Sequence, residues 1–304
     1  MQQTLKADEG WRIWWQLTRP HTLTASFVPV LLGTIISLAE TRPNFTIFIL
    51  MMLATLFLQA ATNMFNEYYD FKRGLDNEQS VGIGGTIVRN GVRPSTVLGL
   101  ALALYGAAAL MGLYIAANTS WWLLAVGGVA MAIGYLYTGG PLPIAYTPLG
   151  ELFSGVTMGM AIVLISYFVQ TGHVSGWAIA LSVPSMILVG AIMMSNNIRD
   201  LEGDRKGGRK TLAILAGRKN AITILLLFFA ASYLWILAMV LTGSLTPWAL
   251  LVFLSSGKPI GAIRIFRKEN VPLKVMPAMK ATAQTNTFFG FLLCIGLLLG
   301  YWTN

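Results

Sequence analysis

Long apolar runs constrain this chain more than any other feature. Several stretches of about 20 consecutive apolar residues recur, each long enough to cross the hydrocarbon core of a bilayer as a helix. Hydrophobic residues make up 55% of the sequence and charged residues 11%, and the mean hydropathy is +0.65. This composition argues against a soluble globular domain and predicts an all-α polytopic membrane protein.

We predict nine transmembrane helices, at residues 22–40, 44–65, 95–117, 121–138, 148–170, 175–197, 220–242, 245–264 and 284–302. Lys258 and Pro259 interrupt the eighth. Before the first, residues 10–19 combine three tryptophans with two arginines, which is typical of a short helix lying in the headgroup region. The first 20 residues are polar and Trp-rich, so we predict no cleavable signal.

The basic residues indicate the orientation of the spans. With nine spans, the N-terminus and the loops after spans 2, 4, 6 and 8 share one side. Of the 21 Lys and Arg residues, 20 fall on that side and only Arg42 on the other. The positive-inside rule therefore predicts a multi-pass protein of the cell (plasma or inner) membrane, with its N-terminus in the cytoplasm. Because this bias accounts for the net charge of +9, no nucleic-acid partner is expected.

Acidic residues concentrate in two patches, each directly after an apolar run. Seven of the 12 Asp and Glu residues belong to them: Glu67, Asp70, Asp76 and Glu78 in the first, and Asp200, Glu202 and Asp204 in the second. Asn63, Asn66 and Asp70 have helical spacing and share one helix face, and so do Asn196, Asp200 and Asp204. Ionisable groups at the ends of apolar spans are rare and usually functional.

The patches belong to an internal repeat. Aligning Asn66 with Asn196 places Asp70 on Asp200, an offset of 130 residues. Within a single domain, 1–304, we predict two pseudo-repeated halves, at about 20–140 and 147–302. Membrane folds with such repeats place their sites between the halves. We therefore expect both patches to face a central cavity that opens to the cytoplasmic side.

The residue types in the patches suit Mg²⁺ and, through it, a diphosphate. Mg²⁺ takes hard oxygen ligands and shares its shell with phosphate oxygens. The predicted metal ligands are Asn66, Asp70, Asp76, Asn196, Asp200 and Asp204. Nearby basic residues would hold diphosphate oxygens together with Asn66 and Asn196: Lys72, Arg73, Arg89, Lys206, Arg209 and Lys210. Glycines would let backbone amides approach the anion: Gly82, Gly84, Gly85, Gly207 and Gly208.

Tyrosines near the same ends of the spans are candidates for contact with a carbocation. The π faces of Tyr135 and Tyr137 would stabilise such a cation, although interfacial tyrosines are equally expected as membrane anchors. The single cysteine, Cys294, excludes an intramolecular disulfide and a cysteine-based metal site. His21 and His173 are predicted on opposite sides of the membrane, which argues against a site built on both.

These motifs resemble the UbiA-type intramembrane prenyltransferases. Asn66-Glu-Tyr-Tyr-Asp70 followed by Asp76 resembles the first aspartate-rich motif of that superfamily, and Asp200-Leu-Glu-Gly-Asp204 resembles the second. The resemblance covers essentially the whole chain. Within the superfamily, three stretches are most similar to the 1,4-dihydroxy-2-naphthoate polyprenyltransferases of menaquinone synthesis: Arg19-Pro20-His21-Thr22-Leu23, the Gly-Leu-Asp ending at Asp76, and Asn196-Asn197-Ile-Arg199-Asp200 running on to Lys210-Thr211-Leu212-Ala213.

The resemblance implies a Mg²⁺-dependent enzyme acting on a polyprenyl diphosphate and 1,4-dihydroxy-2-naphthoate. It implies catalytic roles for Asp70, Asp76, Asp200 and Asp204. One departure is Glu67, where the family usually has Asp, so Glu67 is not expected to be a required ligand. Some relatives carry a lysine where this chain has Ala145. The role of that lysine would pass to another group, with Tyr135, Tyr137 and Tyr146 as candidates.

Three alternatives stay open at the level of sequence. The acceptor could be 4-hydroxybenzoate, homogentisate or haem, because the sequence separates acceptors only by pattern. A membrane transporter also has repeats and charges within the membrane, although here the acids lie at the ends of the spans. A prenyl-lipid binding protein without turnover is the third.

Overall fold

A computed structural model describes residues 9–76 and 85–303 of the chain. Glu78, Gly82 and Gly84, which the sequence analysis singled out, lie outside these ranges. The described residues form helices and no strands. The α-helices are α1 Trp11–Leu17, α2 Thr24–Ser37, α3 Phe45–Lys72, α4 Thr86–Asn90, α5 Pro94–Asn118, α6 Leu123–Leu136, α7 Gly150–Ser154, α8 Ile162–Thr171, α9 Gly176–Lys206, α10 Leu212–Ala216, α11 Arg218–Leu241, α12 Gly257–Lys268 and α13 Pro272–Thr303.

Three further helical segments differ from the α-helix. A π-helical stretch, Gly155–Ala161, joins α7 to α8 so that the three form one rod. A 3-10 turn at Ile144–Tyr146 precedes α7, and a 3-10 helix at Pro247–Ser255 precedes α12. The eighth predicted span is therefore a 3-10 helix followed by an α-helix that begins next to Lys258 and Pro259.

The all-helical polytopic membrane fold is confirmed. In the described ranges, 7 helical rods are long and apolar enough to cross a membrane, and two shorter apolar helices, α2 and α6, match the first and fourth predicted spans. The predicted count of nine is therefore not confirmed. Helix α1 exists within residues 10–19, with Trp11, Trp14 and Trp15 exposed. Its position in the headgroup region stays a prediction.

Helix α9 is the central helix of the fold and α5 is peripheral. Of the apolar window of α9, 67% is buried inside the protein, against 17% for α5. The largest core cluster joins α9 to α2, α11, α12 and α13. A smaller cluster around Phe65, Val97 and Ala101 joins α3 to α5 and α1.

Small residues let the central helices approach closely, as is usual in membrane bundles. A Cβ atom added at Gly159 would lie 2.5 Å from the Cα of Met186 on α9, and one at Gly33 of α2 would lie 2.2 Å from the backbone oxygen of Val163. The π-helical stretch and α2 are thereby fixed against their neighbours.

Two helices extend beyond their predicted apolar spans and carry the acidic patches. Helix α3 is capped by the Asn44 side chain, which accepts a hydrogen bond from the amide of Ile47 at 3.2 Å, and it continues to Lys72. Helix α9 is capped by Ser175, which accepts from the amide of Ala178 at 3.1 Å, and it continues to Lys206. Asn66, Asp70, Asn196, Asp200 and Asp204 are therefore all helical.

Candidate active site

Both acidic patches line one cavity of about 970 Å³. Nine of the predicted site residues are on its wall: Asn66, Asp70, Asp76, Tyr137, Asn196, Asp200, Asp204, Lys206 and Arg209. The cavity also runs along α3 to Met51, which is 19 positions, or about 28 Å of helix, before Asp70. That far section is mostly apolar and includes Leu58, Val126, Val129, Ile162 and Ile165. A charged end and a long apolar section thus belong to one space.

Arg209 links the two patches directly. Its Nη2 donates to Oδ1 of Asp70 at 2.6 Å and its Nη1 donates to Oδ1 of Asp204 at 2.9 Å. The guanidinium also lies over the ring of Tyr146, 5.2 Å from its centroid. Burial alone would lower the pKa of Arg209, but the carboxylates of Asp70 and Asp204 outweigh burial and raise the pKa above its ordinary value, so the guanidinium stays charged.

In the first patch, the chain turns at the end of α3 and returns Asp76 towards Asp70. The amides of Leu75 and Asp76 both donate to the carbonyl of Asp70, at 2.9 and 3.3 Å. Burial, and then the neighbouring carboxylate of Asp70, raise the pKa of Asp76 to about 7. Asn66 accepts a hydrogen bond at 2.6 Å from the hydroxyl of Thr138. These contacts hold three oxygen-bearing side chains at one end of the cavity.

In the second patch, Asp200 is paired with its neighbour Arg199. The Nε of Arg199 donates to Oδ1 of Asp200 at 2.6 Å. On its other side, Nη1 of Arg199 contacts the sulfur of Met279 at 3.1 Å. Only 7% of the Arg199 side chain is exposed, so this arginine fixes Asp200 from within the bundle.

The donor set suits a divalent cation that is completed by a ligand. Among the described residues, no three His, Cys, Asp or Glu side chains gather closely enough to chelate a metal ion alone. Mg²⁺ usually takes only one or two carboxylates and completes its shell with water and substrate phosphates. The positively charged guanidinium of Arg209 lies between Asp70 and Asp204, so these two carboxylates already share one cation. The residues therefore fit Mg²⁺ bound together with a diphosphate.

A family model, the UbiA prenyltransferase family, matches residues 26–274. The chain belongs to the UbiA prenyltransferase family. It is 60% identical over 290 residues to the 1,4-dihydroxy-2-naphthoate octaprenyltransferase of Bacillus subtilis (strain 168), covering 95% of this chain and 93% of the relative.

Solved structures confirm the UbiA fold. The apo structure of a UbiA homologue from Aeropyrum pernix K1 matches with a TM-score of 0.69 at 19% identity, over 93% of this chain and 98% of the homologue. A UbiA homologue from Archaeoglobus fulgidus, solved bound to DMAPP and Mg²⁺, matches with a TM-score of 0.60 at 16% identity, over 92% of this chain and 98% of the homologue.

Five predicted site residues of this UbiA chain are not on the cavity wall that the structure describes: Lys72, Arg73, Arg89, Lys210 and Tyr135. Arg73 donates to the backbone oxygens of Thr138 and, at 2.9 Å, of Gly140. The hydroxyl of Tyr135 is 2.6 Å from that of Tyr69. Arg73 and Tyr135 therefore bind other parts of the protein here, and the roles given to all five stay predictions.

Glu67, where the family motif usually has Asp, supports the backbone of the next segment. Its carboxylate accepts hydrogen bonds from the amide of Gly85, at 2.7 and 2.8 Å, and from the amide of Ile87, at 3.1 Å. The residue is 1% exposed. Its oxygens therefore bind the backbone of the next segment, and the expectation that Glu67 is not a required metal ligand stays a prediction.

Sequence reasoning missed two residues on the cavity wall, Arg19 and His21. Arg19 is the only non-glycine residue with positive φ, 52°, in the described ranges, and such backbone strain often marks a functional position. Burial and then the charges of Arg19 and Arg199 lower the pKa of His21 to about 3. His21 is therefore a neutral imidazole. The sequence signal for these two residues was the stretch Arg19-Pro20-His21, which carries part of the family resemblance.

Proposed function

We propose that this chain transfers a polyprenyl group from polyprenyl diphosphate to 1,4-dihydroxy-2-naphthoate, with loss of the carboxyl group, to give demethylmenaquinol. The observation that carries the reaction class is a single cavity that joins two aspartate patches to a long apolar section. The choice of acceptor rests on the 60% identity to an enzyme named for that acceptor.

Mg²⁺ is part of the proposal because the clustered aspartates need a cation and the negative charge of a diphosphate must be neutralised. When bound, Mg²⁺ would supply positive charge to the departing diphosphate. The residues that would hold it are Asn66, Asp70 and Asp76 on one side, and Asn196, Asp200 and Asp204 on the other. Lys206 and Arg209, on the same wall, would bind the remaining phosphate oxygens.

The apolar section of the cavity would hold the prenyl tail and keep water from the reacting carbon. An allylic cation would otherwise be hydrolysed, so exclusion of water is part of the chemistry. Tyr137 lies on the wall, with its hydroxyl 3.5 Å from that of Ser154. Its ring is the one we assign to stabilising positive charge on the allylic group.

The reaction balances without a further reagent. The electron pair of the allylic C–O bond leaves with the diphosphate. The electron-rich ring supplies the pair for the new C–C bond. The carboxylate leaves as CO₂, and the electron pair of its bond to the ring returns to the ring and restores aromaticity. The protein positions the two substrates and stabilises the charge that develops between them.

We also propose that the N-terminus and the loops around the cavity face the cytoplasm, in the plasma or inner membrane. The support is the distribution of Lys and Arg, with 20 of 21 on that side of the predicted spans. Cysteines introduced at exposed positions of α1 and of the loop after α5 would report sidedness by labelling in intact cells.

The proposal is tested with purified protein in nanodiscs, supplied with Mg²⁺, a polyprenyl diphosphate and 1,4-dihydroxy-2-naphthoate. Mass spectrometry would follow the prenylated naphthol and CO₂, with 4-hydroxybenzoate as a parallel acceptor. We expect product from the naphthoate alone, and its loss in EDTA. Product only from 4-hydroxybenzoate would overturn the acceptor but keep the class. Tight diphosphate binding without turnover on either acceptor would overturn the assignment of the protein as an enzyme.

A further inference from the structure

The side chain of Arg209 occupies the space between two carboxylates that would otherwise repel each other. Asp70 and Asp204 come from different helices, α3 and α9, and each gives one oxygen to a different nitrogen of the same guanidinium, at 2.6 and 2.9 Å. Only 13% of the Arg209 side chain is exposed. In the described part of the protein its Nε is buried and has no hydrogen-bond partner.

Electrostatics explains why the Arg209 guanidinium lies between the two carboxylates. Taking two carboxylates out of water costs several kcal/mol each unless a cation compensates them. A guanidinium provides that cation in fixed, forked geometry. A divalent cation placed between the same two oxygens would meet the charge of Arg209 at close range, so both cations cannot keep these contacts.

We propose that Arg209 is the internal counter-cation of the metal-free site and competes with Mg²⁺ for Asp70 and Asp204. This inference rests on the proposed function and deepens it. Mg²⁺ alone must displace Arg209 from both carboxylates without giving it a new partner. When a diphosphate arrives with Mg²⁺, Arg209 pairs with phosphate oxygens instead. Metal and diphosphate therefore bind cooperatively, and neither binds tightly alone.

The test measures binding, not turnover. Wild type, Arg209→Gln and Arg209→Lys are titrated in nanodiscs with Mg²⁺ alone, with inorganic diphosphate alone and with both, by calorimetry. The matched control is Arg205→Gln, which removes the same charge four positions earlier; Arg205 is half exposed and pairs with Glu202 at 3.3 Å.

Competition predicts that Arg209→Gln binds Mg²⁺ alone more tightly than wild type, by about fivefold or more, the low end of ordinary coupling energies. The same variant should bind diphosphate more weakly and lose most of the cooperativity between metal and diphosphate. Arg209→Lys keeps the charge but cannot bridge both carboxylates, so its affinity for Mg²⁺ alone should rise less. Arg205→Gln should bind Mg²⁺ as wild type does.

Several outcomes would overturn the proposal. One is unchanged or weaker binding of Mg²⁺ alone to Arg209→Gln, which would make Arg209 an ordinary diphosphate ligand. Another is an equal gain in affinity for Mg²⁺ alone in Arg205→Gln, which would attribute the effect to the overall charge of the protein. Should Arg209→Gln fail to fold, Arg209→Lys decides by the same measurement. Product formation by wild type is scored separately, so failure of the proposed function is distinguishable from failure of the competition.

Discussion

The two acidic patches share a sequence pattern, but different contacts hold them in place. On the first, the helix ends at Lys72 and Asp76 reaches the cavity through a turn that returns to the carbonyl of Asp70. On the second, the helix continues to Lys206, and Asp200 and Asp204 occupy successive turns of it. The first patch therefore depends on a turn beyond its helix, and the second on the length of its helix.

Positions that the predicted repeat aligns nevertheless make similar kinds of contact. Asn66 and Asn196, and likewise Asp70 and Asp200, are 130 positions apart and all line the cavity. The next pair, Glu67 and Asn197, serves as anchors. Glu67 binds backbone amides of Gly85 and Ile87, and the side chain of Asn197 donates to Glu151 at 2.8 Å. In each motif, one position thus lines the cavity of the proposed site and the next one binds another part of the protein.

The largest expected effect comes from removing the equivalent aspartates. Asp70→Ala and Asp200→Ala should each lower kcat by about 10²-fold or more, because each removes charge that would hold the cation on the leaving group. Turnover by mass spectrometry measures the loss. If the patches contribute equally, the two variants lose similar activity.

Thermal unfolding of the same two variants separates a catalytic loss from a folding defect. Both carboxylates are at the cavity wall and outside the apolar core, so each variant should remain folded and monodisperse, with a lower melting temperature because Arg209 or Arg199 loses an ion-pair partner. An active Asp200→Ala protein would remove the second patch from the proposed site.

The second comparison concerns how closely neighbouring segments approach the central helix α9 and the peripheral helix α5. A Cβ added at Gly159 would lie 2.5 Å from both Met186 Cα and Ser185 O of α9, whereas one added at Gly106 of α5 meets nothing within 4 Å. Gly159→Ala should therefore destabilise the protein by about 1–3 kcal/mol through overpacking. Gly106→Ala should be neutral or stabilising by up to about 1 kcal/mol.

Melting temperatures in one detergent compare the two glycine variants. Equal melting temperatures would show that α9 can move away from the π-helical stretch, and that its close packing is not required for stability.

Much of this architecture could be predicted from sequence, because hydrophobic length and helical spacing are local properties. The helices and the cavity-facing pairs Asn66/Asp70 and Asn196/Asp200 follow from runs of apolar residues and from three- and four-residue spacing. Arg73 illustrates what could not be predicted. It is basic and close to the first patch, yet it binds the backbone oxygen of Gly140, 67 positions away. The partner of a long flexible side chain depends on tertiary contacts that no local pattern contains.

The anchors should show a smaller effect than the aspartates. Asn197→Ala removes the amide that donates to the buried Glu151, so we expect a loss of about 2 kcal/mol, within the range for a buried acceptor left without its donor. Glu67→Gln places an amide donor against the amides of Gly85 and Ile87, with a loss of about 1–3 kcal/mol. Chemical or thermal unfolding measures both.

A matched control for these anchors is Glu202→Gln, since the Glu202 side chain is 73% exposed and should change stability by less than about 0.5 kcal/mol. Adding Glu151→Gln to Asn197→Ala should restore part of the lost stability, because it removes the uncompensated buried carboxylate. No recovery in the double variant would show that Asn197 supports α9 by packing alone.

The smallest expected effect concerns the turn that distinguishes the first patch. Because the pKa of Asp76 is raised to about 7, its carboxyl is protonated below that pH in the metal-free protein and ionised above it. Mg²⁺ binds the ionised form, so its affinity should rise with pH between about 6 and 8, by no more than about tenfold per pH unit, and level off above. Calorimetric titration at several pH values measures this slope, and Asp76→Asn should flatten it at lower affinity. A slope that persists in Asp76→Asn would assign the titration to another group. The turn would then place Asp76 at the cavity without making Mg²⁺ binding depend on pH. The two patches would in that case differ only in geometry.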